Sequence, residues 1–137
     1  MKIMAVDYGD ARTGIAISDL LCSLVGSTTV IHSRNAEKTI NQLKELIAKH
    51  DVGEIVVGLP KNMNGTEGPR AELCREFARM LEDATGLPVH LWDERRTTVE
   101  AHNILSQHNY HGKKRKDTVD AVAASLILEG YLGFRGR

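Results

Sequence analysis

Residues 3–18, IMAVDYGDARTGIAIS, predict how the sheet of this protein begins. Residues 3–8 form an apolar run, residues 9–14 form a short polar connection that begins and ends with glycine, and residues 14–18 form a second apolar run. Two such runs separated by a short glycine-containing connection are typical of an antiparallel β-hairpin. Residues 24–31 are rich in Val, Thr and Ile and predict a third strand, so the chain should open with an antiparallel meander.

Beyond residue 31 the pattern changes to strands that alternate with helices. Asn35 can cap a helix in which Ile40, Leu43 and Ile47 recur at helical spacing. The remaining elements are a strand at 54–58, a helix that starts at Pro69 and stops near Gly86, a strand at 88–92, a helix that opens on the capping box 97–100, and a helix from about 117 to 131.

This order of elements predicts an α/β fold with a mixed five-stranded sheet. The first three strands should be antiparallel, and the later two should join in parallel through right-handed crossovers, which places helices on both faces. A chain of 137 residues suffices for one conventional core but not for two, so residues 1–137 are expected to form a single domain. The buried face of the helix that starts at Pro69 is expected to carry Leu73, Phe77, Leu81 and Ala84.

The composition excludes several classes of protein. Hydrophobic residues make up 42% and charged residues 26%, which is ordinary for a globular protein, and no apolar run is long enough for a membrane helix. Lys and Arg balance Asp and Glu at 18 each, so only local clusters of charge can indicate a nucleic-acid partner. Aromatic residues are only 4%, which argues against a base-stacking platform. With two cysteines and no signal-peptide pattern, a cytoplasmic protein is expected.

Acidic residues stand where two of the predicted strands end. Asp7 lies at the end of the first apolar run, and Asp93 and Glu94 directly follow the strand at 88–92. Open α/β sheets bind ligands at the carboxyl ends of their strands. Because side chains alternate across a strand, only one of Asp93 and Glu94 can share a face with Asp7, and the pattern does not choose between them.

Two further acids open the last predicted helix. Asp117 is expected to be its N-cap. Asp120 lies about 60° from Ala123 and about 20° from Ile127 around the helix axis, which places it at the core-facing edge. A carboxylate in that position is costly unless it is paired, hydrogen-bonded or bound to a metal.

Acids from two strand ends and one helix start are the ligands that a divalent-metal site needs. Mg²⁺ and Mn²⁺ prefer carboxylate and water oxygens, and a bound cation relieves the repulsion between clustered carboxylates. Such a site can activate water for the hydrolysis of a phosphodiester bond. The pattern therefore favours a divalent-metal site that would hold Mg²⁺ or Mn²⁺.

Positively charged residues cluster beside these acids. A loop predicted at residues 111–116 contains four consecutive cations, and a charge run of this kind is more often a solvated loop than a binding site. Its position next to a candidate metal ligand favours contact with a nucleic-acid backbone instead. The predicted backbone contacts are Lys61, Asn62, Arg95, Lys113, Lys114, Arg115 and Lys116. Arg12 is expected to be a surface residue, although it could reach a phosphate.

Four motifs together resemble the YqgF family, also called RuvX-like: RNase H-like proteins that are known as Holliday junction resolvases or pre-16S rRNA nucleases. They span nearly the whole chain: DYG at 7–9 with Arg12 and GIA at 14–16, VGLP at 57–60 with NMNGT at 62–66, DER at 93–95 with TT at 97–98, and DAVAA at 120–124 with IL at 127–128. The resemblance implies an RNase H-like fold. It also implies that Asp7, Glu94 and Asp120 are both the catalytic and the metal-binding acids, which selects Glu94 over Asp93.

The function expected from this resemblance is cleavage at the 5′ end of pre-16S rRNA, with ribosomal particles among the partners. One alternative is a resolvase of four-way DNA junctions, whose paired symmetric cuts require a dimer; the sequence leaves open a monomer or a weak homodimer. Another is a non-catalytic nucleic-acid-binding module, against which the three acids argue. An ATPase of the actin–hexokinase type also opens on Asp-x-Gly, but it needs two such domains, for which 137 residues leave no room.

Overall fold

A computed structural model describes residues 1–94 and 112–135, with side chains in the last helix described from Asp117 onward. Five strands and three helices lie in these ranges. The strands are β1 (Lys2–Asp7), β2 (Arg12–Ser18), β3 (Val25–His32), β4 (Val52–Leu59) and β5 (Val89–Asp93), and the helices are α1 (Ala36–His50), α2 (Pro69–Thr85) and α3 (Gly112–Arg135). The helix predicted to open at 97–100 and the predicted contact Arg95 lie outside the described residues.

The five strands form one mixed sheet in the order β3-β2-β1-β4-β5. β1 pairs with β2, and β2 with β3, in antiparallel fashion, whereas β1–β4 and β4–β5 are parallel. The predicted sheet is therefore confirmed. In this order β1, β4 and β5 end at the same edge, which is where Asp7 and Glu94 lie.

Alternation along the strands separates two cores, one on each face of the sheet. On β1, Met4 and Val6 pack with α1 and α2, while Ile3 and Ala5 pack with Ile127 and its neighbours on α3. The sheet is thus covered on both faces, as predicted. Asp7 continues the alternation of Ile3 and Ala5, so its side chain belongs to the α3 face.

Local signals account for the ends of the first two helices. The side chain of Asn35 accepts a hydrogen bond from the backbone N–H of Lys38 at 3.0 Å, which caps α1 as predicted. Pro69 stands in the first turn of α2, and Gly86 ends that helix in a left-handed conformation with φ of 69°. No described helix is long and apolar enough to cross a membrane.

The predicted buried face of α2 was partly wrong. Phe77 and Leu81 are buried, but Leu73 is 47% exposed and Ala84 is exposed. The buried face is rotated around the helix axis relative to the predicted one and includes three small side chains, which let the helix approach the sheet closely. It consists of Ala71, Cys74, Phe77, Ala78 and Leu81.

The predicted start of the last helix was also wrong. α3 begins at Gly112, so the backbone of residues 113–116 is helical and does not form the predicted loop. Lys and Arg are good helix formers, and nothing between Gly112 and Asp117 interrupts a helix. Asp117 consequently lies inside the helix and is not its N-cap.

Candidate active site

Glu94 lies beside Asp7, one residue beyond β5. Its backbone N–H donates to the carbonyl of Leu59 at 3.1 Å, which continues the β4–β5 pairing past the last strand residue. Trp92 packs against the α3 core, and alternation puts Glu94 on the same face, with Asp93 on the opposite side. The structure therefore brings Glu94 to Asp7.

Gly58 makes room for the Glu94 carboxylate. A Cβ atom at this position of β4 would lie 2.5 Å from Glu94 Oε2 and 2.6 Å from Ile127 Cδ1. Any larger residue would push the carboxylate away from the sheet edge. The glycine in the VGLP motif is thus explained by the close approach of an acidic side chain.

The carboxyl groups of Asp7 and Glu94 lie close together, and each affects the pKa of the other. Burial, and then the nearby negative charge of Asp120, raise the pKa of Asp7 to about 6. Burial, and then Asp7 itself, raise the pKa of Glu94 to about 8. The pair therefore shares a proton near neutral pH, and Glu94 Oε2 is buried without a hydrogen-bond partner among the described residues.

Asp120 reaches the same region because α3 lies directly on β2. A Cβ atom at Gly14 would be only 2.1 Å from the carbonyl oxygen of Asp120, and Gly14 is the cross-strand partner of Asp7. The Asp120 side chain accepts a hydrogen bond from Arg12 Nε at 2.8 Å. Burial raises the pKa of Asp120, and the Arg12 guanidinium opposes that rise.

The ion pair with Asp120 shows that sequence reasoning underestimated Arg12. It lies on the same face of β2 as Gly14 and Ala16, and Ala16 packs against α3. The alternation of side chains along β2 is the signal that predicts that Arg12 faces α3. Its cross-strand partner His32 contacts Asp117 at 3.1 Å, so two strand residues face two acids one turn apart on α3.

Arg70, in the first turn of α2, was missed altogether. Its guanidinium donates to the carbonyl of Tyr8 and, at 2.7 Å, to Asp10 Oδ1, and it lies 5.5 Å from the centre of the Tyr8 ring. It therefore ties the chain segment after Asp7 to α2. Its positive charge lowers the pKa values of Asp7 and Glu94 against the larger effect of burial. The proximity of Arg70 to these residues follows from the order of the strands in the sheet, which no local pattern in the sequence shows.

Apart from Arg95, which lies outside the described residues, the predicted nucleic-acid contacts belong to chain segments at the same end of the molecule. Lys61 and Asn62 follow the carboxyl end of β4, but the Asn62 side chain donates to Thr66 Oγ1 at 2.9 Å and so closes its own loop. The basic run at 113–116 occupies the start of α3, within the two turns before Asp120. Lys61 and the basic run remain predicted contacts, and Asn62 is held by an internal bond.

The three acids do not form one cluster: two of them lie together, and the third is paired with an arginine. Asp7 lies beside Glu94, and Asp120 is hydrogen-bonded to Arg12. Among residues 1–94 and 117–135, no three Asp, Glu, His or Cys side chains converge closely enough to hold a metal ion. The donor chemistry nevertheless fits a divalent cation. Two half-buried carboxyl groups with raised pKa values, one with an unpartnered oxygen, would both be stabilised by a cation between them.

A family model described as "RuvX: Holliday junction resolvase" matches residues 1–133. This chain belongs to the RuvX family. The resemblance read from the four motifs is therefore confirmed. The family and the names of its members identify the protein as a nuclease, a hydrolase of phosphodiester bonds.

Curated relatives of this RuvX protein match it from end to end. A protein of Halothermothrix orenii is 47% identical over 137 residues, which covers all of this chain and 98% of the relative. One of Carboxydothermus hydrogenoformans is 44% identical and is covered over 99% of its length. Both carry the name "Putative pre-16S rRNA nuclease".

Solved structures show the same fold at low sequence identity. Thermus thermophilus RuvC, in complex with a Holliday junction substrate, superposes with a TM-score of 0.62 at 11% identity, over 99% of this chain and 96% of that one. The resolvase of Fowlpox virus, also bound to Holliday junction DNA, gives 0.59 at 12% identity over the full length of both. The RNase H-like fold is confirmed by these neighbours. Resolvases and nucleases of this fold generally depend on divalent metal ions.

The acidic pair predicts how stability depends on pH. Because the folded-state pKa values of Asp7 and Glu94 lie above ordinary values near 4, the protonated pair stabilises the fold; this contribution is complete below about pH 4 and is lost as the pH rises through about 6 and about 8. We expect the free energy of unfolding, measured in urea with EDTA, to fall by on the order of 5 kcal/mol from pH 5 to 8.5.

The control for this pH dependence is Glu94→Gln, which cannot ionise and should show a smaller fall. Mg²⁺ in place of EDTA should also flatten the dependence, because the cation stabilises the charged pair. A protein that becomes more stable between pH 5 and 8.5 in EDTA would contradict the raised pKa values.

Proposed function

We propose that this RuvX protein is a divalent-metal-dependent endonuclease that processes the 5′ end of pre-16S rRNA. Asp7, Glu94 and Asp120 are its catalytic acids and hold Mg²⁺ or Mn²⁺. The substrate is taken from the names of relatives that match over the whole chain. A protein that acts on this RNA works in the cytoplasm, with ribosomal particles as its partners.

One observation carries the proposal: the half-buried carboxyl pair of Asp7 and Glu94 at the carboxyl ends of β1 and β5, with Glu94 Oε2 buried and unpartnered among the described residues. When both carboxyl groups of this half-buried pair are ionised they repel each other, and a bound cation turns that repulsion into a favourable arrangement. When bound there, a divalent cation would lower the pKa of a coordinated water and stabilise charge on the phosphate.

The chain itself would bind and orient the nucleic acid. Lys61 and the basic run at 113–116 lie at the acidic end of the molecule, where they would contact phosphates on either side of the scissile bond. Arg70 fixes the segment that follows Asp7 and so holds that carboxylate in place. It does so through the hydrogen bonds that its guanidinium donates to Asp10 and to the carbonyl of Tyr8.

The experiment compares two labelled substrates in Mg²⁺, in Mn²⁺ and in EDTA. One is a pre-16S rRNA fragment that spans the 5′ cleavage site, and the other is an immobile four-way DNA junction. We expect the RNA alone to be cut, only with metal, and not by Glu94→Gln. The matched control Glu82→Gln changes an exposed glutamate of α2 and should cut normally.

Two other outcomes would replace this proposal. Symmetric cutting of the junction, with a dimer in solution, would identify a resolvase, the activity that the family description names. Binding of RNA that is indifferent to metal, without cleavage in any condition, would identify a non-catalytic module.

A further inference from the structure

The ion pair between Arg12 and Asp120 is held by a single recorded hydrogen bond. Arg12 Nε donates to Asp120 Oδ2 at 2.8 Å, and the two side chains are 33% and 19% exposed. Among residues 1–94 and 117–135, Asp120 is the only recorded partner of this guanidinium. Its other four N–H groups are therefore not used by that bond, whereas a fork-shaped pairing with a carboxylate would use two donors.

The backbone on both sides of this pair is fixed by close packing. The carbonyl of Asp120 lies against Gly14, and the carbonyl of Arg12 lies against Gly9, each with only 2.1 Å to the position of a glycine Cβ. Arg12 is also held in register opposite His32. The two side chains are consequently the movable parts, and partly exposed side chains change rotamer within nanoseconds.

The charge of the cation decides whether Asp120 pairs with the Arg12 guanidinium or with a divalent metal ion. Asp120 is close enough to Asp7 to raise its pKa, so a divalent cation between Asp7 and Glu94 would also attract Asp120. That cation carries twice the charge of a guanidinium and would lie next to half-buried acids, where electrostatic interactions are stronger than in water. An ion pair that is one-third exposed on the arginine side is weak by comparison.

We propose that Arg12 is a displaceable counter-ion of Asp120: a divalent cation takes Asp120 over, and the released guanidinium binds a phosphate of the substrate. The inference rests on the metal site proposed above. Guanidinium groups present a fork of donors that matches phosphate oxygens. The released guanidinium would lie beside the basic start of α3. Metal binding would therefore increase the affinity for nucleic acid.

The first test measures Mn²⁺ binding by calorimetry in the absence of nucleic acid. Because Arg12 competes with the metal for Asp120, Arg12→Gln should bind Mn²⁺ about three- to tenfold more tightly than the unaltered protein. Arg12→Lys, which keeps the charge but not the Nε donor, should lie between them. The control Arg75→Gln removes an equally charged guanidinium from an ion pair with Glu67 and should leave the affinity unchanged.

The second test measures cleavage of the precursor RNA at saturating Mn²⁺. Arg12→Gln should raise KM for RNA several-fold, because a phosphate contact has been lost. A residue with only a structural role would weaken metal and RNA binding together, whereas a displaceable counter-ion changes them in opposite directions.

Equal or weaker Mn²⁺ binding by Arg12→Gln would overturn the inference while leaving the metal site intact. Failure of every variant and of the unaltered protein to bind Mn²⁺ would overturn both. Tighter Mn²⁺ binding without any cleavage of RNA would support the counter-ion role and reject only the proposed substrate.

Discussion

Asp7→Asn should abolish metal-dependent cleavage and at the same time make the protein more stable at pH 8. The loss of activity should exceed about 10³-fold, because a carboxylate that holds the catalytic cation cannot be replaced by a neutral amide. The gain in stability follows from burial. Asp7 has a raised pKa, so its ionised form opposes folding at pH 8, and an asparagine NH₂ can donate to the Glu94 carboxylate.

The stability gain should be about 1–2 kcal/mol in EDTA at pH 8, measured as the free energy of unfolding in urea. Activity is measured on the cleaved substrate under single-turnover conditions. Asp83→Asn makes the same chemical change at an exposed position of α2 and should affect neither quantity. Cleavage by Asp7→Asn at more than a tenth of the normal rate would remove Asp7 from the catalytic acids.

Gly14→Ala should strongly destabilise the protein. The new Cβ would lie 2.1 Å from the carbonyl oxygen and 2.7 Å from the carbonyl carbon of Asp120. Both are backbone atoms, so no rotamer change can relieve the clash, and α3 must move away from β2. This movement would open the core in which Ala16 and Ala124 pack together with other α3 residues.

We expect the free energy of unfolding of Gly14→Ala to fall by about 3 kcal/mol, with loss of cleavage because Asp120 is displaced. The matched control is Gly133→Ala in the same helix, where a Cβ meets nothing within 4 Å. Alanine favours a helix over glycine, so this control should gain about 0.5–1 kcal/mol. Equal effects of the two substitutions would show that α3 does not depend on the close approach at Gly14.

Much of the fold was predictable because its signals are local. The apolar runs predicted the strands, Asn35 and Pro69 marked helix starts, and the succession of elements predicted the mixed sheet. The face of α2 was misjudged at Leu73 and Ala84, because periodicity alone allows a shift of one residue. The start of α3 was misjudged because the charge of the basic run was taken as a loop signal, although its residues favour helix.

The candidate site was predictable only as a set of acids at strand ends. Choosing Glu94 over Asp93 required the family motif or the orientation of β5, since both residues follow the same strand. Arg12 and Arg70 reach the acids through contacts between distant parts of the chain, and such contacts leave no local pattern. The pairing of Asp120 with Arg12 spans 108 residues of sequence.

That separation also sets the order in which a newly made chain becomes active. Synthesis proceeds from the N-terminus, so Asp7 and Arg12 leave the ribosome long before Asp120. α3 supplies Asp120 and covers one whole face of the sheet, so a chain still tethered before α3 emerges has no complete set of acids. A growing chain therefore carries an incomplete candidate site until α3 has folded onto the sheet.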